Sequence, residues 1–364
     1  MKATKLYSIL FILLLAPAFL LATNPTEPKS KHTKEKTIKK SFSVNSDATL
    51  KVDNSYGNLN IITWNENKID IEVTITTDGN NLDKVQQKLD EITVDFEASP
   101  SLVSAKTIFN KNKSNSWWNW NGNNKVNMKI NYVVKMPVSN SVDLSNDYGN
   151  INLDKLEGNA NISCDYGKII TKELMGESNR LNFDYTSGCY FDYINNGYIN
   201  ADYSGFTVSK SKNLKINADY TNSEVEAVES IEYNCDYGNM KIKKANNIKG
   251  SGDYLNVMIG EVYQNVKIDA DYGSIKIEEM TAGAKNLEID GEYTGIKVGY
   301  NANYKFQFDI DLEYASLSGG DDFTFTSKEK DGSDKKYVGH YGGQSSGNYV
   351  KISSDYGGVT MHKK

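Results

Sequence analysis

The sequence predicts an all-β protein, a single-chain parallel β-solenoid (β-helix) of about 17–21-residue coils. An N-terminal cap containing one helix and a few strands completes it. Three observations carry this expectation. An acid–tyrosine–glycine motif recurs along the chain, as in "CDYGNMKI" from Cys235, "DYGNINL" from Asp147 and "ADYGSIKI" from Ala270. Its tyrosines, Tyr148, Tyr166, Tyr185, Tyr203, Tyr220, Tyr237, Tyr254, Tyr272, Tyr293 and Tyr314, stand 17–21 residues apart, with outlying copies at Tyr56 and Tyr356. Apolar and polar residues alternate on both sides of each motif, the period-two pattern of a half-buried strand. A fixed period of this length marks a repeat architecture whose units bury a face only by stacking on one another.

The 364-residue chain opens on Lys2, Lys5 and an apolar run from Leu6 to Leu21 that ends in small residues. Residues 1–22 therefore read as a Sec-type signal peptide, an uncleaved anchor being the alternative. Once the signal is cleaved, no membrane span remains, and export places the body in the periplasm, on the cell surface or in the medium. Residues 23–40 carry Pro25, Pro28 and six lysines from Lys29 to Lys40, and read as a basic flexible tether. Residues 1–40 hold eight Lys and two acids, leaving the body with 33 basic and 45 acidic residues, a net charge of −12. Such a body repels nucleic acid and anionic lipid. Arg180 is the single arginine and asparagine is abundant, which points to base composition rather than function.

Residues 41–140 hold a first coil, "LKVDNSYGNLNIITW", and then a capping insertion. "KIDIEVTIT" alternates as a strand from Lys68. "NLDKVQQKLDEI" sets Leu82, Val85, Leu89 and Ile92 on one helical face, with Asp78 or Asn80 as cap. Strands are expected around Leu102–Phe109 and Val126–Met136. Between them, Trp117, Trp118 and Trp120 lie in an Asn-rich segment that reads as a hairpin tip, either folded back or exposed as a platform for a protein or glycan.

Residues 141–364 form the repeat region, with the last coil at about 345–361. Counting back by twos from Tyr272 gives Ala270 and Ile268, so each tyrosine falls on the inward phase of its first strand. The reading that follows is an internal aromatic ladder, the alternative being an exposed strip. After the motif the inward positions slip to three and five residues on, and the glycine is expected to supply the unusual corner angles. Asp165, Asp184, Asp202, Asp219, Asp236, Asp253 and Asp271 then point outward. Stacked carboxylates at this pitch repel by roughly 1–4 kcal/mol per pair. Either each Asp accepts from turn amides or the row holds calcium.

No cofactor other than that calcium is indicated. Cys164 and Cys235 lie about 19 Å apart on the coil pitch, too far for a disulfide, and read as core fillers. Histidine occurs only at His32, His340 and His362, which argues against a His-based metal site or a triad. Catalysis by a carboxylate pair needs two groups tuned apart, whereas this row is regular. The chain is therefore not expected to be an enzyme, with a polysaccharide-active β-helix as the outside alternative.

The opening "LKVDNSYGNLNI", the units "DYGNINL" and "DYGSIKI" and the terminal "SDYGGVTM" resemble the bacterial putative-adhesin family of exported domains of unknown function, related to the auto-transporter adhesin head (GIN) domain. The resemblance covers roughly residues 41–364. It implies a β-solenoid acting as an envelope or cell-surface interaction module for an envelope protein or a glycan, and it transfers no catalytic residues. Self-association end to end, through open strand edges, is the structural alternative.

Overall fold

The structure, a computed structural model, describes residues 30–110, 125–343 and 347–364. It is nearly all β, with one helix, and its strands join into a single sheet that does not close. The repeats pair in parallel and in register across their 17–21-residue spacing. Upstream of each tyrosine, one ladder runs from Thr49–Ser55 through Ser141–Asp147, Ala160–Asp165 and Asn179–Asp184. Downstream, a second runs from Leu59–Trp64 through Ile151–Leu153 to Ile169–Leu174. In the middle of the molecule single strands, such as Gly205–Asn217 and Asn222–Asn234, reach from one tyrosine to the next.

Alternation decides what the ladders bury. In Gly205–Asn217 the buried positions are Phe206, Val208, Ser211, Leu214 and Ile216, so two three-residue steps around Ser211 bend the strand within its repeat. In-register pairing then stacks like on like. Val208, Val225, Ile242, Ile259 and Ile277 follow one another through the core. Burying each of these side chains is worth roughly 1.5–3 kcal/mol. On the outside, asparagines in register form amide ladders: Asn213 donates to Asn196 at 2.7 Å, Asn217 to Asn200 at 3.0 Å and Asn239 to Asn222 at 2.6 Å. Stacked amides of this kind stabilise in-register parallel sheets. The asparagine content thus has a structural use that base composition does not describe.

The last repeat departs from chain order. Tyr349–Asp355 and Val359–Lys363 insert between the strands of residues 287–300 and those of residues 306–319, parallel to both neighbours. Antiparallel strands cover both ladders at the N-terminal end and the upstream ladder at the C-terminal end, where Leu317–Gly319 ends the downstream one. At the N-terminal end, Ile92–Ser99 lies on Leu102–Phe109, and Lys68–Gly79 lies on Val126–Pro137. The outermost strand there is His32–Ser43. Residues 32–40 are therefore ordered strand and not tether. Ile38 and Phe42 pack against the core and Lys36 Nζ donates to Leu89 O at 2.6 Å, capping a helix carbonyl.

The helix Leu82–Glu91 buries Val85 and Leu89 as its spacing predicts, but its cap is Asn81, which accepts from Lys84 N at 3.1 Å. Leu102–Phe109 and Val126–Pro137 do not form a hairpin: the first pairs with the upstream ladder and the second with the downstream one. At the C-terminal end the hairpin Thr324–Asp331 and Asp334–Tyr341 covers Phe306–Glu313. Phe306, Phe308, Phe323, Tyr300 and Tyr341 pack beneath it.

Candidate functional site

Each repeat turns at its tyrosine, and the turn explains the motif. All twelve motif tyrosines, from Tyr56 to Tyr356, have positive φ, between 47° and 62°. The left-handed region turns the chain within one residue, and it carries the tyrosine ring outward. The inward phase holds for the residues before the motif, since Ala270 and Ile268 are buried, but it ends there. From Tyr148 to Tyr314 the motif rings are 44 to 61 % exposed, and Tyr356 is 49 % exposed. The ladder is external, and the inward expectation is overturned by the φ of the tyrosine itself.

The glycine has a different job from the one its sequence position suggests. Gly149 and Gly167 do not have positive φ; instead their backbones pass close to the preceding repeat. A Cβ on Gly149 would lie 1.8 Å from Gly57 O, and one on Gly167 would lie 2.0 Å from Gly149 O. At Tyr185, Tyr203 and Tyr220, Thr186, Ser204 and Thr221 take this position, and their hydroxyls satisfy corner amides and carbonyls: Ser204 N donates to Thr221 Oγ1 at 3.1 Å, and Thr221 Oγ1 donates to Asp219 O at 2.9 Å. Two residues before the tyrosine the chain is on the inside of the corner, which accounts for the small residues there. A Cβ on Gly252 would meet Cys235 O at 1.9 Å.

The rings form one continuous stack. Successive centroids are 4.8 to 5.3 Å apart with interplanar angles of 1° to 9°, in the order Tyr56, Tyr148, Tyr166, Tyr185, Tyr203, Tyr220, Tyr237, Tyr254, Tyr272, Tyr293, Tyr356, Tyr314. Carbon atoms in contact sit about 3.5–4.0 Å apart, so parallel rings at this pitch touch only when tilted and offset. Each ring therefore shows solvent a band of one face, its edge and its hydroxyl. Phe109 closes the stack at Tyr56, edge to face at 6.1 Å. Among the described residues none of the twelve hydroxyls has a protein hydrogen-bond partner. The backbone under the strip is fully tied: Tyr148 N donates to Asp165 O at 2.9 Å, and the same bond recurs from Tyr220 N to Asp236 O.

A row of carboxylates follows the rings. Asp147, Asp165, Asp184 and Asp202 pair in register, as do Asp253, Asp271, Glu292 and Asp355. Within the row, carboxylates accept from the backbone of the next repeat. Asp202 N donates to Asp184 Oδ1 at 3.0 Å, Asp219 N to Asp202 Oδ1 at 3.1 Å and Asp253 N to Asp236 Oδ1 at 2.8 Å. The accepting group is thus used between repeats, not inside its own turn. Desolvation, and then repulsion from neighbouring acids, raises the carboxyls of Asp147, Asp184 and Asp253 above the ordinary range, the amide of Asp202 partly opposing this at Asp184. The phenols of Tyr166, Tyr237 and Tyr272 are likewise raised, by desolvation within the stack first and then by the adjacent phenols and acids. Among the described residues no three His, Cys, Asp or Glu side chains converge as metal ligands.

Cys164, Cys189 and Cys235 are buried free thiols, and burial pushes Cys164 and Cys235 up to about 12. Trp117, Trp118 and Trp120, like the signal segment, lie outside the described residues. Trp64 is described: it sits between Lys68 and Lys135, whose ammonium groups lie 4.9 and 5.7 Å from its ring. No described helix is long and apolar enough to cross a membrane.

No family model matches the chain. No curated protein matches it either. Among solved structures it is similar to a "putative adhesin" from Parabacteroides merdae ATCC 43184, at 12% identity and a TM-score of 0.31, over 90% of this chain and 96% of that one. A "putative cell adhesion protein" from Clostridium sporogenes ATCC 15579 is similar at 11% identity and a TM-score of 0.19, over 91% of this chain and 100% of the other. A "putative lipid binding protein" from Parabacteroides distasonis ATCC 8503 is similar at 10% identity and a TM-score of 0.27, over 92% and 98%. Function is accordingly argued from this chain's own residues.

Proposed function

We propose that the two parallel ladders are the sides of a β-solenoid, exported and non-enzymatic, that serves as an envelope or cell-surface interaction module. It engages an envelope protein or a glycan lengthwise along the tyrosine strip. The observation that carries this reading is the uninterrupted stack of twelve tyrosines, eleven of them about half open to water, with Tyr56 at the end of the stack packed partly against the core. A tyrosine offers roughly 150–250 Å². Eleven half-exposed tyrosines therefore present on the order of 1,000 Å², above the ~800 Å² per partner of a standard interface. An interaction strip also accounts for a repeat that keeps tyrosine where asparagine or glycine would hold the same backbone at less strain.

End-to-end self-association is not part of this proposal, because antiparallel strands cover three of the four ladder ends and the outermost of them, His32–Ser43, is rich in lysine. The test is a variant with Tyr203, Tyr220, Tyr237 and Tyr254 replaced by Asn, a residue that tolerates positive φ. Its binding to envelope fractions is compared with that of the unaltered chain. Lost binding with unchanged circular dichroism supports the strip; retained binding removes it.

A further inference from the structure

The strip is acidic at all but its first repeat and carries almost no compensating charge of its own. The residue before each tyrosine is acidic in eleven of the twelve repeats, Ser55 being the exception. Elsewhere on the surface, acids are paired across repeats: Glu224 with Lys241 at 3.1 Å, Glu232 with Lys249 at 2.9 Å and Glu288 with Lys267 at 3.0 Å. Among the described residues no acid of the tyrosine row is in an ion pair, although the same repeats place lysines freely on other rows. Two residues beyond the tyrosine the side chains are Asn, Ser or Gly, with Lys168 the single cation. Three residues before it, Asp269 and Asp290 add further acids, whereas Asp53 and Asp311 are paired with Lys106 and Lys336 at 2.7 and 3.2 Å.

We propose that the strip's partner is an extended, Arg- or Lys-rich polypeptide segment lying along the tyrosine rungs. This rests on the reading of the strip as the interaction surface. In-register strands place one carboxylate every ~5 Å, a linear charge density approaching the one charge per ~3.4 Å of a nucleic-acid strand. Such a row concentrates counterions, and a chain of cations gains by releasing them. The exposed bands of the tyrosine faces add cation–π attraction, strongest for guanidinium groups, and the unpartnered phenol oxygens accept hydrogen bonds. A second copy of this chain would set one acid row against another. A neutral glycan would leave the row uncompensated, and an anionic lipid surface would be repelled.

The probe is a labelled twelve-residue peptide of alternating Arg and Ser, titrated into the full chain. A Glu/Ser peptide and a neutral linear β-glucan oligosaccharide serve as comparators. The Arg/Ser peptide is expected to bind, and the comparators are not. Its affinity should fall on the order of fiftyfold between about 50 and about 200 mM salt, the counterion-release slope for some four contacts. Replacing Asp202, Asp219, Asp236 and Asp253 by Asn keeps an oxygen for the amides that the first three accept from, and should weaken binding about tenfold or more. Absent binding, salt-independent binding or equal binding by the Asn variant each overturns the inference. If envelope binding is nevertheless lost on replacing the tyrosines, the strip remains the interaction surface and only the partner's chemistry is wrong. If envelope binding survives their replacement, the reading of the strip itself fails.

Discussion

Tyr220 holds a backbone conformation that costs a non-glycine residue about 1 kcal/mol, and its ring is stacked at 4.8 Å on both Tyr203 and Tyr237. A stacked pair returns roughly 0.5–1.5 kcal/mol, so the ladder about offsets the strain that builds it. Replacement of Tyr220 by Asn should then cost about 1 kcal/mol, and replacement by Val about twice that, because a β-branched residue adds strain at positive φ. Urea unfolding of the two variants measures the difference; equal midpoints would show that the corner is not held in this conformation. Asp253 provides a pH-dependent counterpart. Its carboxyl is raised, so the folded state is penalised above that raised value and relieved as pH falls through it toward the ordinary carboxylate value near 4. Replacing Asp253 by Asn should raise the urea midpoint at pH 7 and leave it unchanged at about pH 3. Much of this was legible at the level of single residues: the position of every corner, the small residues before it and the stepped phase after it. The direction of the ring was not. Counting by twos assumes one backbone conformation, and a single left-handed residue reverses the side-chain direction without altering the count on either flank.

At the scale of elements, period and alternation locate the strands, and the helix follows from Val85 and Leu89. What alternation does not encode is which strand lies beside which. Tyr349–Asp355 reads as the last repeat, yet it lies between Leu287–Glu292 and Phe306–Glu313. The register partners all present the same apolar pattern, so nothing local distinguishes the inserted order from the sequential one. The lysine run before Ser43 reads as solvated chain because its charge hides Ile38 and Phe42, two half-buried residues that are enough to dock it as an edge strand. The C-terminal hairpin covers the aromatic cluster around Phe306 and Phe323, and with it the edge of Phe306–Glu313. Its deletion should expose both, and an uncovered strand edge is a template for pairing. Removal of residues 321–342 is expected to give concentration-dependent oligomers in sedimentation velocity that the full chain does not form. A deletion variant that stays monomeric would show that the hairpin is not what blunts this end.

For the whole molecule, the division of charge is as informative as its sum. Lysine and glutamate neutralise each other in cross-repeat pairs over the strand faces, each exposed pair worth about 0–1 kcal/mol, while the corner row is left acidic in eleven of twelve repeats. The negative body and the repeat are evident in the sequence. The location of the excess charge beside an external aromatic stack emerges only once each corner is turned. The most direct test places a photo-reactive aromatic residue at Tyr220, and separately at Met258, which is exposed on the strand that follows the Tyr254 corner, before incubation with envelope fractions. Cross-linked partner from position 220 and none from position 258 is the expected result. Equal cross-linking from both positions, or cross-linking from 258 alone, would contradict the claim that the tyrosine strip is the surface this protein works through.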